Sequence, residues 1–347
     1  METPALGIKR YGADALEALI GDLQQPRYRS DQLVHWLYGR PLQPPLLDYQ
    51  QMANLPSALR SALAEREPLA APTLLKRQAS TDGSRKYLLG LADGERVECV
   101  GIPDNGRLTV CFSTQVGCAM GCVFCATGHL GLTRSLAPGE MLDQLLVVAA
   151  DFQTRVSNAV AMGEGEPFAN YDNTLAALRL MNDKRAMGIA ARRLTVSSCG
   201  LIPAIRRFTN EPEQFTLAVS LHSAIQSSRD QLMPKLAQQS LDKLHRALTV
   251  YQKHSGRRVS LEYTLIDSIN DTPEEIEALC TFCHGLKVHV NLIALNLGQT
   301  AELQASSPAR AEAVRRQLEA SGIETTLRRS RGSDIAGACG QLAARRG

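Results

Sequence analysis

The chain has 347 residues, 44% of them hydrophobic and 21% charged. That is enough apolar material for a large α/β core and too much for a disordered chain. Its 38 lysines and arginines against 35 aspartates and glutamates leave a formal charge of only +3, so a nucleic-acid role needs a local basic patch and not a global field. The opening METPALGIKRYGADALEA has no apolar h-region, and the longest strongly apolar stretch, 145–150, is far too short to cross a bilayer. A cytoplasmic protein without a membrane role is expected, and nine cysteines in that reducing setting point to metal or redox chemistry.

Residues 1–75 read as a small helical domain. Leu16, Leu19, Ile20 and Leu23 follow the i, i+3, i+4, i+7 spacing of one buried helix face. A second helix runs through SDQLVHWLYG, with Ser30 as N-cap, Gly39 as stop and the lone Trp36 expected in the core. The third, LPSALRSALAERE, has Pro56 in its first turn and Leu55, Leu59 and Leu63 four apart; EPLAAPTLL then reads as a linker. A packing appendage and a substrate-gripping module fit this pattern equally well.

Residues 76–347 change character. KYLLGLADGERVECVGIP gives two strand-like runs around Asp93-Gly94, a hairpin signal. Strands are then predicted at 107–114, 157–162, 193–198, 215–221, 258–265, 287–293 and 323–329. Helices are predicted at 138–152, 171–181, 201–208, 226–233, 239–253, 273–284 and 308–320. Thr272-Pro273-Glu274-Glu275 is a capping box and Ser307-Pro308 repeats its start. Such alternation means parallel βα units. Six or more of them predict an α/β fold with a full or partial TIM-type barrel, whose chemistry sits at the C-terminal ends of the strands.

At such an end lies GCAMGCVFCATGH, with Cys118, Cys122 and Cys125 spaced C-x₃-C-x₂-C. Zinc normally takes four protein ligands, and His129 is the nearest candidate fourth. A 4Fe–4S cluster accepts one cysteine per iron, so three cysteines leave one iron open for a small molecule. The spacing, with Phe124 before the third cysteine, resembles the signature of the radical S-adenosylmethionine (SAM) superfamily, in which SAM chelates the open iron. MGEGEP, residues 162–167, ends the next predicted strand and resembles that superfamily's glycine-rich SAM motif.

The segments TVCFSTQVGCAMGCVFCATG, RLTVSSCG, AVSLHSA, VNLIALN and RGSDIAGACGQLA together resemble the RlmN/Cfr family of RNA adenine methyltransferases, over residues 12 to 343. Two positions depart from it. The family typically reads MGMGEP where this chain has Glu164, and a proline where it has Leu297.

The resemblance implies a partial radical SAM barrel and methylation of an adenine ring carbon. The expected target is carbon 2 of an adenosine in 23S ribosomal RNA, with transfer RNA as a second substrate; Cfr-like action at carbon 8, or a paralogue with another RNA target, is the alternative. It further implies a methyl-carrying Cys339, a resolving Cys111 that closes a disulfide with it, and Glu98 as proton acceptor. SAM contacts are implied at Gly165, Glu166, Ser197, Ser220, Leu221, His222 and Asn296. Two SAM molecules per turnover, an electron donor such as flavodoxin or ferredoxin, and a monomeric enzyme complete the expectation. The rivals are a radical SAM enzyme of other chemistry, such as a protein activase, and a zinc-bound RNA-binding module.

Other features are weaker. Cys280-Thr-Phe-Cys283-His284 matches a haem-attachment pattern but falls inside a capped helix, so its cysteines are expected to pack. Cys99 and Cys199 carry no argued role. LRRSRG, 327–332, offers arginines for phosphate contacts beside the Cys339 loop.

Overall fold

The computed structural model describes residues 6–237, 239–296 and 303–343. Leu297, one of the two departures, lies outside them. The N-terminal helices are α1 (Ala13–Asp22), α2 (Tyr28–Tyr38) and α3 (Ser57–Arg66). Each turns its leucine stripe inward: Leu16, Leu19 and Ile20 on α1, Leu33 and Leu37 on α2, Leu59 and Leu63 on α3 are buried. Trp36 sits at the edge of this core and not within it. Its ring NH donates to Asn54 at 2.5 Å and Arg40 stacks on its face.

The sheet follows. Strands β1 (Thr73–Ala79), β2 (Arg85–Gly90), β3 (Arg96–Asp104) and β4 (Arg107–Phe112) form an antiparallel meander. The Asp93-Gly94 turn joins β2 to β3 as predicted, and Asn105-Gly106, both at positive φ, joins β3 to β4. Strands β7 (Asn158–Ala161), β8 (Leu194–Ser198), β9 (Thr216–Ser220), β10 (Val259–Leu265), β11 (Val288–Ala294) and β12 (Glu324–Arg328) then add in order, parallel to β4 and to one another. The ten-stranded sheet runs β1-β2-β3-β4-β7-β8-β9-β10-β11-β12 without closing, so the partial barrel is the form realised.

Helices α4 (Pro138–Phe152), α5 (Tyr171–Asn182), α6 (Ile202–Thr209), α7 (Gln226–Leu232), α8 (Leu241–Ser255), α9 (Pro273–Cys283) and α10 (Pro308–Ala320) match their predicted positions to within two residues. The caps do what their side chains allow: Ser240, Thr272 and Ser307 accept from the backbone NH three residues on.

Two readings are corrected. The linker 67–75 runs into β1, an edge strand whose TLLKRQA is exposed on almost every residue and so lacks an alternating pattern. The strand predicted at 107–114 stops at Phe112. A separate hairpin of β5 (Gln115–Cys118) and β6 (Gly131–Ser135) follows it and carries the cysteine loop at its tip. Among the described residues no helix is long and apolar enough to cross a membrane.

One apolar cluster runs from Ile8 to Leu318, through helices and sheet alike. A buried ion pair pins the N-terminal segment to α4: Lys9 Nζ lies 2.8 Å from Asp143 Oδ1, both side chains at 1% exposure or less. Burial pushes Asp143 up to about 6 against the pull of Lys9. Removing one member of such a pair strands the other charge. Lys9→Met is therefore expected to cost about 3–5 kcal/mol at pH 8 in urea unfolding, while Lys9→Met/Asp143→Leu recovers most of the loss; equal losses would show that the pair does not carry this contact.

Candidate active site

The loops leaving β4, β7, β8, β9 and β11 all emerge on one side, and a cavity opens among them. Its void, counted out into the open mouth, is about 950 Å³ and runs into solvent. Cys118, Cys122 and Cys125 line one wall. Among the described residues no three Cys, His, Asp or Glu side chains converge on a point that one metal ion could occupy. A single zinc ion would need that convergence, whereas a cluster takes each thiolate on a separate iron. His129 is exposed and its Nε2 pairs with the Val123 carbonyl at 3.2 Å, away from the cavity lining. The residues present fit a cluster. Without one, desolvation pushes the Cys118 thiol up to about 11 and Cys122 up as well; ligation would reverse this, because only thiolates bind.

The GEGEP turn forms the next wall. Gly165 has φ 98°, and a Cβ there would sit 2.5 Å from the Gln115 side chain, so only glycine fits. The Glu166 carboxylate accepts the Cys199 NH at 2.7 Å and the Phe168 NH at 2.9 Å, and its own NH donates to Gln115 Oε1 at 2.9 Å. Desolvation raises its pKa while those NH groups pull it back. Ser197, Ser220, His222 and Asn296 all face the cavity from the ends of their strands. Leu221 does not; its side chain is fully buried in the core and its NH donates to the Glu262 carbonyl.

Cys339 enters from the far side, on the segment after β12. Ala126 NH donates to the Gly340 carbonyl at 2.8 Å, Thr127 Oγ1 to Leu342 O at 2.7 Å, and Asn296 Nδ2 to Cys339 O at 3.2 Å. The segment is thus docked on the cysteine loop, with Cys339 and Gly340 in the cavity wall. Cys339 keeps accessible surface at the mouth, yet surrounding protein desolvates its thiol and raises its pKa, with Arg328 opposing. Cys111 lies just behind, packed with Val100 and Leu342. Burial pushes it up to about 12, and Cys339 is the largest charge adding to that rise. The disulfide implied between them is not formed, and all nine cysteines are free.

Glu98 stands outside the lining. Its carboxylate pairs with Lys86 Nζ at 3.0 Å and accepts the Ala343 NH at 2.9 Å; Lys86 Nζ also donates to the Ala336 carbonyl at 3.2 Å. This buried pair holds both flanks of Cys339. Glu164, the departure from the family pattern, is buried and accepts the Glu98 NH at 3.0 Å.

Sequence reasoning missed Glu262 and Thr264 in the cavity wall, which Arg328 joins from the LRRSRG string expected beside the Cys339 loop. Glu262 accepts from Asn291 at 2.9 Å and lies 3.4 Å from Arg328. Its signal was a charged residue inside the apolar strand run VSLEYTL. Cys199, without an argued role, proves to be a wall residue. Cys283 packs on α9 as expected, and Cys280 sits half-buried beside Ser321.

An open parallel α/β sheet with a three-cysteine loop and a glycine turn at its carboxyl edge is the architecture of a radical SAM enzyme. Residues 112–287 match the model of the Radical SAM superfamily. Residues 8–68 match the ribosomal RNA large subunit methyltransferase N-terminal domain. A crystal structure of a radical SAM methyltransferase from Sphaerobacter thermophilus superposes with a TM-score of 0.91 at 41% identity, covering 98% of this chain and 99% of that one. Curated relatives described as probable dual-specificity RNA methyltransferase RlmN are 44% identical in Synechococcus sp., over 93% of this chain and 92% of theirs, and 39% identical in Thermotoga neapolitana, over 96% of each. The chain belongs to the RlmN family of radical SAM RNA methyltransferases. A 4Fe–4S cluster, SAM and an RNA substrate come with that membership.

Two outcomes follow from the geometry. His222 Nδ1 accepts the Thr264 NH at 3.1 Å, and burial, with Arg229 adding, lowers its pKa from 6.5 to about 3. The unfolded chain therefore binds one more proton here between those values, and the stability present above pH 6.5 is lost as pH falls toward 3. His222→Gln, whose oxygen can take the same NH, should flatten the urea-stability slope between pH 6 and 4 by up to one proton, about 1.36 kcal/mol per pH unit; an unchanged slope removes His222 as the source.

The Lys86–Glu98 pair yields the other. Lys86→Met should free the segment around Cys339 and raise its cleavage rate under limited proteolysis at least tenfold, while Lys86→Arg restores protection. Equal protection in Lys86→Met would show that the backbone contacts alone hold the segment.

Proposed function

We propose that this methyltransferase modifies a ring carbon of adenine, carbon 2 of an adenosine in 23S ribosomal RNA with transfer RNA as a second substrate, through a methyl group carried on Cys339. The observation that supports it is the meeting of two cysteine sets at one cavity. The Cys118, Cys122 and Cys125 loop lines it, and Cys339 faces it with Cys111 directly behind.

An adenine carbon between two ring nitrogens is electron-poor and offers no nucleophile to ordinary methyl transfer. When bound, the cluster and SAM supply a one-electron route that removes hydrogen from a methyl group. Cys118, Cys122 and Cys125 would hold three irons. Gly165 leaves room for SAM to approach the main chain, and Glu166, Ser197, Ser220, His222 and Asn296 surround it. The Cys339 thiolate takes the methyl group from a first SAM, so two are used per turnover. That carbon, having lost one hydrogen, bonds to the adenine ring and joins RNA to Cys339, and the odd electron left on the ring would be taken back by the bound cluster. Glu98 accepts the ring proton once the C-terminal segment shifts, because its carboxylate is otherwise occupied by Lys86 and Ala343. The Cys111 thiolate attacks Cys339 sulfur, the bond from sulfur to the transferred carbon breaks, that carbon takes up a proton to become the methyl group, and a disulfide remains as the methylated base leaves. Reductant arrives from a flavodoxin or ferredoxin type of donor. Exposed Arg329, next to Arg328 of the cavity wall, suits a phosphate contact.

Cys111→Ala should purify with RNA covalently attached through Cys339, visible as an RNase-sensitive shift on a denaturing gel. Cys339→Ala should trap no RNA and make no product. Turnover by Cys339→Ala at the wild-type rate would end this reading, and mass spectrometry of adenosines from a deletion strain distinguishes carbon 2 from carbon 8 and ribosomal from transfer RNA.

A further inference from the structure

Arg229, on α7, is the largest fully buried side chain among the described residues, at 1% exposure. Its Nε donates to the Leu221 carbonyl at 3.2 Å and a terminal nitrogen to the Cys199 carbonyl at 2.6 Å. Both acceptors are neutral, and Arg229 makes no ion pair among the described residues. The buried cations Lys9 and Lys86 each have a carboxylate in contact; Arg229 has none within ion-pair distance among the described residues, and the neighbouring Asp230 attracts it only from farther off. A buried guanidinium without an anion is costly, and arginine cannot shed its charge to escape the cost.

Its place in the fold indicates where the anion belongs. The two carbonyls it holds lie just past β8 and β9, on the wall that carries Cys199 and His222. The end of α7 docks directly on the cysteine loop, with Val123 NH donating to Leu232 O at 3.1 Å. Leu232 and Met233 form one apolar cluster with Cys122, Val123 and Phe124. The cation therefore sits behind Cys122, inside apolar packing that keeps water from screening it.

We propose that Arg229 is a built-in counter-charge for the iron–sulfur cluster, a positioning residue that favours the reduced state through its fixed positive charge behind Cys122. The inference rests on the cluster assignment above and deepens it. Three thiolates make a bound cluster anionic, and reduction adds one more negative charge in the same place. A buried cation nearby stabilises the reduced form more than the oxidised one, so it raises the midpoint potential. That eases electron entry from the donor.

The test uses the full chain, reconstituted anaerobically, with iron and sulfide assayed and the cluster titrated against potential by electron paramagnetic resonance without substrate. Arg229→Met with a complete cluster is expected to shift the reduction equilibrium at least tenfold toward the oxidised state, ~59 mV for one electron; Arg229→Lys should recover most of the shift. An unchanged potential with intact iron content overturns the proposal. Thermal melting of the cluster-free proteins covers a variant that fails to load. A cluster-free Arg229→Met that melts at or above wild type supports the counter-charge role, since a lone buried charge has been removed. A marked fall in melting temperature overturns it, making Arg229 a peg for the two carbonyls. If wild type itself takes up no iron and sulfide, the cluster assignment fails first, an outcome distinct from either.

Discussion

Seven parallel strands, β4 and β7 through β12, fix where chemistry can occur in this molecule. A strand that is to pair in parallel with its predecessor must return to the same starting edge, so every strand exits on the same side. The exits of β4, β7, β8, β9 and β11 therefore share one rim, and residues more than 170 positions apart, Cys118 and Asn296, line one cavity. The core's job is to make that rim rigid: Leu217, Val219, Leu261, Tyr263, Leu265, Val290 and Leu292 are all fully buried. The loops above can then carry glycines and polar groups that would weaken a strand.

Buried charges in this protein act mainly as fasteners between segments distant in sequence. Lys9 to Asp143, Lys86 to Glu98, and Arg134 to both Asp93 and Glu140 each cross at least one element boundary. Such pairs add little net stability over apolar packing, but a mismatched alternative would leave a charge stranded, so they select one docking geometry. The Lys86–Glu98 pair shows this most directly. Its two ions reach the carbonyl of Ala336 and the NH of Ala343, three residues before and four after Cys339. A segment without regular secondary structure is thereby held in register with the cysteine loop. The same contacts occupy Glu98, so a role for it as proton acceptor requires this segment to move.

Much of this was legible in the sequence because periodicity and caps are local. The βα alternation, the helix starts at Pro138, Pro273 and Pro308, and the cysteine spacing each sit within a few residues of chain. What escaped depends on partners far away. β1 is an edge strand with both faces largely exposed, so it carries no alternation and read as a linker. The β5–β6 hairpin is only four and five residues long, and its pairing brings Gly117 against Gly131, a contact no pattern announces. Leu221 read as a site residue because it lies between two that are, yet strand alternation turns it into the core. Nothing in QSSRDQL marks Arg229, and only the fold reveals that it is buried.

The cavity also carries an energetic asymmetry that bears on how the site assembles. With no cluster, Cys118 and Cys122 are held as neutral thiols by desolvation, Glu166 is pushed toward its neutral form, and His222 stays uncharged. Arg229, behind this wall, has neutral carbonyls as its hydrogen-bond partners. Deprotonating the thiols in bare protein would be unfavourable, since each new anion would be poorly solvated. Iron supplies the compensating charge at the moment of ligation, so thiol deprotonation and metal binding are one coupled event. The fold thus presents Cys118 and Cys122 as weakly acidic thiols, in front of a buried positive charge that an anionic cluster would compensate.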